Sequence, residues 1–230
     1  MMSRFALFFI ALAAMSVAFA ATASASRADI DACDLISPAQ LKTILTQQHV
    51  VLFADESGTS SADNTSGVTH SYCNGVAYSG AQPKTPAGVR HALANGTGAA
   101  FAIDTWVPDE ASADVDRWTL GGFADLVELV TDTSLEAIIA PGLPLFRATH
   151  IHVLTPVGAQ FGGDGAAGAA AIPRNMPTVR GVGGAWWSSQ STAFIAIGFE
   201  TSAKKATVKR LNRLAQVAVT AFGLKPLPLH

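Results

Sequence analysis

The first 25 residues determine the environment in which the rest of the chain folds. Arg4 gives the N-terminus a positive charge, an apolar run over residues 5–20 follows, and Ala23-Ser24-Ala25 has the small-x-small form of a signal-peptidase site. At about 16 residues, the run is shorter than the roughly 20 that a membrane-spanning helix needs. We expect residues 1–25 to be a cleaved signal peptide; a retained N-terminal anchor is the alternative.

After cleavage we expect residues 26–230 to form one domain in the periplasm or the extracellular medium, with no transmembrane segment. Hydrophobic residues make up 49% of the chain and charged residues 14%, which excludes a disordered protein. The formal net charge is −2 at pH 7, and this near-neutral balance argues against nucleic acid as a partner.

The chain contains two cysteines, Cys33 and Cys73. In an oxidising compartment a disulfide is the expected state, and two free thiols are the alternative. The bridge would close a loop of about 41 residues, for which chain entropy predicts roughly 4 kcal/mol of stabilisation. We reject a lipid anchor on Cys33, because Asp29 and Asp31 separate it from the apolar run.

The hydrophobic patterns predict an α+β domain, an antiparallel sheet with helices packed on one face. Ser37-Pro38-Ala39-Gln40 is a capping box with proline at the first helical position. Residues 203–222 have the apolar stripe of a final helix, for which Ser202 is the expected N-cap. Strands are predicted at residues 50–53, around Cys73, and at residues 99–107, 150–154 and 193–199, with a helical segment between residues 123 and 139.

A literal G-x-G-x-x-G pattern occurs at Gly163, Gly165 and Gly168. A dinucleotide site needs these glycines to open a helix, with an acidic residue about 20 positions later for the ribose. Pro173 would end such a helix, and the next acidic residue after Gly165 is Glu200. We therefore interpret the pattern as an alanine-glycine surface loop, and we expect no cofactor.

Two other short patterns are candidate sites. His150 and His152 alternate within a predicted strand, so both imidazoles would lie on one face and could bind a metal if a third ligand approached. On the last helix, Lys205, Lys209 and Arg213 recur every four residues, which is typical either of a solvated face or of a surface for an anionic partner.

Trp186-Trp187 is the most unusual local feature. In an extended segment adjacent side chains point to opposite faces, so one of the two rings must point away from the core. An outward tryptophan is a candidate ligand or partner contact, and the alternative is that it covers its own sheet.

The N-terminal segment from Cys33 through Ser37 and Gln40 to Leu41 resembles the opening of the DUF3558-like class of small exported bacterial proteins of unknown function. The glycine-rich turn before Trp187, followed by a strand and a last helix, resembles the closing unit of that class. This resemblance implies an α+β domain with a Cys33–Cys73 bridge, and it implies no catalytic residue.

The chain lacks G-x-S-x-G, H-E-x-x-H and C-x-x-C motifs. We therefore expect a non-enzymatic binding or envelope-accessory protein whose partner is an envelope protein or a small ligand. Two alternatives stay open: an exported hydrolase with a dispersed site, and a metal-handling protein that uses His150 and His152.

Overall fold

The computed structural model describes residues 30–53, 60–61, 68–108, 148–154, 164–173, 176–188 and 193–230. Within these ranges the chain forms eight strands and three α-helices, which confirms the predicted α+β class. The expected signal peptide and the predicted helical segment at residues 123–139 lie outside the described residues. None of the three helices is long and apolar enough to cross a membrane.

The strands are β1 (His49–Leu52), β2 (Ser60–Ser61), β3 (Val68–Tyr78), β4 (Gly98–Pro108), β5 (Ala148–Leu154), β6 (Gly165–Pro173), β7 (Val179–Trp187) and β8 (Phe194–Ser202). The helices are α1 (Pro38–Leu45), α2 (Pro86–Asn95) and α3 (Val208–Ala221), and a 3-10 turn covers Ala32–Asp34.

One antiparallel sheet contains all eight strands, in the order β1-β3-β4-β8-β7-β6-β5, with β2 also paired to β3. The last four strands follow one another as neighbours, so each pairs with the next along the chain. The N-terminal and C-terminal halves meet where β4 pairs with β8, from Ala100 opposite Glu200 to Trp106 opposite Phe194. This junction makes the two halves a single layer.

Because side chains alternate along a strand, the register divides the sheet into two faces. The face that includes Phe101 of β4 and Ile197 of β8 packs against α1 and α3, and we call it the α3 face. The opposite face includes Ala100 and Ala196, and we call it the α2 face. The largest hydrophobic cluster lies between the α3 face and its helices.

Helix α1 begins as predicted. The amide of Ser37 donates to the side-chain oxygen Oε1 of Gln40 at 2.9 Å, and the amide of Gln40 donates to Ser37 Oγ at 3.3 Å. This reciprocal pair satisfies two amides that a helix start leaves without an intrahelical partner. The capping box therefore fixes where the buried stripe of Leu41 and Leu45 begins.

Helix α2 packs on the other side of the sheet, so the described helices occupy both faces. Thr85 caps it by accepting a hydrogen bond from the amide of Gly88 at 3.1 Å, and Pro86 takes the first helical position. Its buried residues Val89 and Leu93 join a second, smaller cluster with residues of the α2 face. The predicted placement of helices on one face holds for α1 and α3, whereas α2 packs on the opposite face.

Helix α3 begins at Val208, five residues after the predicted start. Ser202 is the last residue of β8, and the amides of Lys205 and Ala206 donate to its carbonyl in a turn. Thr207 is the N-cap, since its side chain accepts from the amide of Arg210. The strand thus extends through the residue that the sequence pattern assigned as the cap.

The C-terminal tail is fixed to the α3 face. The Asn212 side chain donates to the carbonyl of Leu229 at 2.9 Å and accepts from its amide at 3.0 Å. Leu229 is buried, and a Cβ on Gly168 or Gly184 would come within 2.7 or 2.6 Å of its Cδ1. The surface loop predicted from the glycine pattern is therefore wrong in this part: residues from Gly165 onward form strand β6, and Gly168 leaves room for the tail.

The disulfide joins Cys33, in the 3-10 turn, to Cys73 on β3. The amide of Ala32 also donates to the hydroxyl of Ser71 on the same strand at 3.0 Å. The first described residues are thus held on the α3 face by one covalent bond and one buried hydrogen bond. This confirms the predicted pairing and contradicts the alternative of two free thiols.

The double variant Cys33→Ala/Cys73→Ala should lower the free energy of unfolding by about 4 kcal/mol, because the unfolded chain regains the entropy of a loop of about 41 residues. Urea unfolding followed by circular dichroism measures this loss. Wild-type protein in reducing agent should show the same midpoint as the variant. A variant as stable as the oxidised wild type would show that the bridge does not constrain the unfolded chain.

Gly184→Ala should destabilise the fold by about 1–3 kcal/mol, because the new methyl group overlaps the site of Leu229 Cδ1. The same change in a Leu229→Ala background should cost less, since the side chain that it meets has been shortened. A double-mutant cycle measured by urea unfolding gives the coupling. Strictly additive effects of the two changes would contradict the proposed contact.

Candidate functional site

A row of aromatic side chains crosses three strands of the α2 face. The register places Trp106 of β4 opposite Phe194 of β8, and Phe194 opposite Trp187 of β7. All three side chains are partly exposed. We call these three residues the aromatic row.

Two rings of the aromatic row contact each other and the sheet below. The Trp106 and Phe194 rings have centroids 4.7 Å apart with planes at 62°, an edge-to-face arrangement. Both rings pack against the methyl groups of Ala185 and Ala196, which lie one row further along the strands. The small side chains let the large rings lie close to the strands and leave part of each ring accessible.

The third ring lies over a glycine. Gly165 of β6 is the register partner of Trp187, and a Cβ on Gly165 would lie 2.1 Å from two atoms of the Trp187 ring. No such separation is tolerated, so this position has room only for glycine. The first glycine of strand β6 therefore positions the Trp187 ring on the sheet.

The two adjacent tryptophans differ completely in environment. Trp186 lies on the α3 face, is fully buried, and donates from Nε1 to the carbonyl of Leu227 at 2.8 Å. It holds the C-terminal tail and is not available to a ligand. Trp187 is the outward ring, and its role as a ligand contact stays a prediction. The sequence predicted that the two rings point to opposite faces of the sheet. Which of them is buried depends on the face that the C-terminal tail covers.

The histidine pair lies at an irregular point of the sheet. His150 and His152 are in strand β5, as predicted, but the register with β6 shifts between Thr149 and His152. The strict alternation that would place both imidazoles on one face does not apply across such a shift. The side chain of His152 is exposed. Among the described residues no three metal-ligand side chains come together, and the metal site stays a prediction.

The basic residues of the last helix have separate roles. Lys205 precedes α3 and donates to the carbonyl of Gly96 at 2.6 Å, so it connects the start of the helix to the end of α2. Arg210 donates to the carbonyl of Lys205 and to the hydroxyl of Thr46, both at 2.9 Å. Burial lowers the pKa of Arg210, and the nearby charge of Arg213 adds to this effect. These two cations therefore serve the fold.

The other two basic residues of the four-residue repeat border an open surface groove of about 540 Å³ beside the C-terminal tail. Lys209 and Arg213 lie on one side of it, and Leu229 and His230 lie on the other. Its walls are the first half of α3, from Val208 to Gln216, and the chain end. In its described walls the groove has no buried polar group to define a ligand.

The sequence analysis missed Glu200 as a site residue. This glutamate lies in the middle of the sheet and only 1% of its surface is exposed. Burial raises its pKa from 4.5 to about 8. Neither carboxyl oxygen has a hydrogen-bond partner among the residues that the structure describes. A single acidic residue within the apolar run of β8 was the available signal, since such a residue must be buried if the strand is central.

A second buried polar group on the α2 face also lacks a partner. Asn74 of β3 is 5% exposed, and its side-chain oxygen Oδ1 accepts no hydrogen bond within the described part of the chain. Buried polar atoms in folded proteins nearly always have a partner, because a lost hydrogen bond costs about 1–3 kcal/mol. Glu200 and Asn74 are therefore the two positions where the described sheet is polar without an evident structural reason.

Comparison with known proteins gives no relative: no protein-family model, no curated protein and no solved structure matches this chain.

Glu200 should make the protein less stable as the pH rises. Between pH 4.5 and about 8 the folded chain keeps a proton on Glu200 that the unfolded chain has released. The free energy of unfolding should therefore fall by up to about 1.4 kcal/mol per pH unit in this window. The stabilisation is fully present below pH 4.5 and is lost as the pH passes the folded pKa of about 8.

Urea unfolding of wild type and Glu200→Gln from pH 4.5 to 8.5 tests this expectation. The variant should lack the decline and become the more stable protein at high pH. Asp164→Asn, which changes an exposed acid, is the matched control and should follow the wild type. Parallel curves for wild type and Glu200→Gln would show that Glu200 ionises normally in the fold.

Proposed function

We propose that this chain is a non-enzymatic binding domain, exported with residues 1–25 removed and related to the DUF3558-like class. The Cys33–Cys73 disulfide supports the exported location, because such bonds persist in the periplasm and outside the cell. The proposed ligand is a saccharide of the cell envelope. The observation that carries this proposal is the aromatic row on the α2 face.

The aromatic row offers a surface on which a sugar ring can pack. Trp187 lies over Gly165, and it continues the line of Trp106 and Phe194 across three strands. Partly exposed aromatic rings provide large, rigid contact areas that lose little conformational entropy on binding. The less polar face of a pyranose ring is complementary to such a surface.

Polar groups that could orient a sugar lie in the next row of the same face. The register places Asp104 of β4 one row from Trp106, with Tyr72 of β3 as its cross-strand partner. Both side chains are partly exposed. A carboxylate and a phenol beside aromatic rings can exchange hydrogen bonds with sugar hydroxyls. This combination of an apolar surface and a few directed polar groups is the usual form of a small-molecule site.

Binding accounts for these residues better than hydrolysis does. In the row next to the aromatic row, Ala167, Ala185 and Ala196 contribute no nucleophile or proton donor. Asp104 is the one acid among the described residues of that row, whereas glycoside hydrolysis typically uses a pair of carboxylates. Glu200 is the described acid with a raised pKa, and it lies three rows from the aromatic row along β8. Two residues of a strand span about 6.7 Å, so a ligand on the rings would be roughly 20 Å from that carboxyl.

Trp187→Leu should weaken saccharide binding at least tenfold, because the ring that contacts the sugar is lost. Isothermal titration calorimetry with chitotetraose, cellotetraose and soluble peptidoglycan fragments measures the affinity. Tyr78→Leu is the matched control: Tyr78 is a half-buried aromatic residue of the same face, packed against His49 at 5.2 Å, at the far end of β3.

The proposal predicts binding of at least one of these saccharides by the wild type and by Tyr78→Leu, with the saccharide recovered at unchanged length. If none of them binds, or if Trp187→Leu binds as well as wild type, the aromatic row is not the binding surface. Shortened saccharide after incubation would instead favour the hydrolase.

A further inference from the structure

Glu200 and Asn74 face the same side of the sheet with only small residues between them. Asn74 pairs with Ala102, which pairs with Gly198, and Glu200 lies two residues beyond Gly198 on the same strand. Ala100, the register partner of Glu200, occupies the remaining corner. From strand spacing and rise, the Cα atoms of Asn74 and Glu200 are about 12 Å apart. The strands place nothing larger than a methyl group between these two polar side chains.

The atoms of this pair that lack a partner are all oxygens. The three that lack a partner within the described residues are Asn74 Oδ1, Glu200 Oε1 and Glu200 Oε2. Both side chains are at least 95% buried. Once Glu200 is ionised, all three oxygens are acceptors, so a group with several donors would satisfy both residues.

The walls next to this pair are aliphatic. Val76 lies in the same cross-strand row as Ala100 and Glu200, and it packs in one cluster with Val89 and Leu93 of α2. Met176, three residues before β7, and Val179, its first residue, complete the cluster. A ligand that reached the carboxyl would therefore pass an apolar surface with its remaining atoms.

We propose that Glu200 and Asn74 form the polar end of a binding site for a primary ammonium group on an aliphatic stem, such as an alkylamine or a lysine side chain of a partner. An ammonium group has three N–H donors, which match the three acceptor oxygens. The stem would lie along Val89, Leu93 and Met176. This site is separate from the aromatic row and does not depend on saccharide binding.

An ammonium group fits this arrangement better than a metal ion. Calcium takes six to eight oxygen ligands and magnesium six. Here two side chains supply three oxygens, and the described residues contain no cluster of three metal-ligand side chains. Their neighbours Ala100, Ala102 and Gly198 have no side-chain oxygen to add.

Binding of an ammonium group should release a proton from Glu200. The free carboxyl is neutral at pH 7, since burial raises its pKa to about 8, and the bound cation stabilises the carboxylate. Other titratable groups belong to the described elements around it: Asp104, Tyr72, Tyr78, Arg90, His91 and Lys205. A variant at Glu200 separates its proton from theirs.

Calorimetry with n-butylammonium chloride at pH 6.5, in two buffers of different ionisation enthalpy, measures affinity and proton release together. Wild type should bind and release about one proton, whereas 1-butanol, which has the same stem without the charge, should bind at least tenfold more weakly. Glu200→Gln should weaken butylammonium binding at least tenfold and abolish the proton release. Asp164→Asn is the control for a distant acid and should bind as wild type does.

Asn74→Leu, which removes the second acceptor and keeps the side-chain volume, tests the site if Glu200→Gln does not fold. It should weaken butylammonium binding and preserve the proton release. Backbone NMR shifts on titration should centre on Ala100, Gly181 and Gly198. The proposal is overturned if butylammonium does not bind, binds equally to both variants, or shifts resonances elsewhere. Because saccharide binding is measured separately at Trp187, the failure of one proposal leaves the other testable.

Discussion

The pairing of β4 with β8 is the interaction on which the rest of the structure depends. It is the only ladder in the described sheet that joins a strand from the N-terminal half to one from the C-terminal half. Its register sets which residues of β3 share a face with those of β7, although these strands never touch. A shift of one residue would exchange the two faces, placing Glu200 against α3 and Phe199 against α2.

Large and small side chains are distributed unequally between the two faces because of what covers each one. The α3 face carries bulky residues such as Phe101 and Ile197, which fill the space under two helices and the C-terminal tail. The α2 face has alanine or glycine at most central positions, including Ala102, Gly183 and Gly198. On that face the few large or polar residues stand out, and they are the ones on which both proposals rest.

Local sequence patterns predicted the elements whose determinants are local. The Ser37 capping box needs only residues within one helical turn, and it was read correctly. Helix α2 was missed although Thr85 and Pro86 form a comparable start, because the neighbouring strand patterns dominated that region. The start of α3 was placed too early, since the extent of β8 depends on its pairing with Val179 of β7.

Residues whose role depends on distant partners could not be assigned from the sequence. Gly165 and Gly168 match a motif in the sequence, but the side chains that pack against them are those of Trp187 and Leu229. These lie 22 and 61 positions later in the chain. Glu200 is similar: an acid in an apolar strand predicts burial, but only the cross-strand register shows that Asn74 faces the same way. Both proposed sites therefore depend on the sheet rather than on any contiguous motif.

The two proposed sites differ in the free-energy cost that a ligand must overcome to bind. At the aromatic row the rings are already partly exposed, so a ligand adds contact without first uncovering the sheet. Glu200 is 99% buried, so a ligand there must repay the desolvation of its own charge through the acceptors that it satisfies. We therefore expect greater selectivity at Glu200, because a ligand without donors would leave three buried oxygens unpaired.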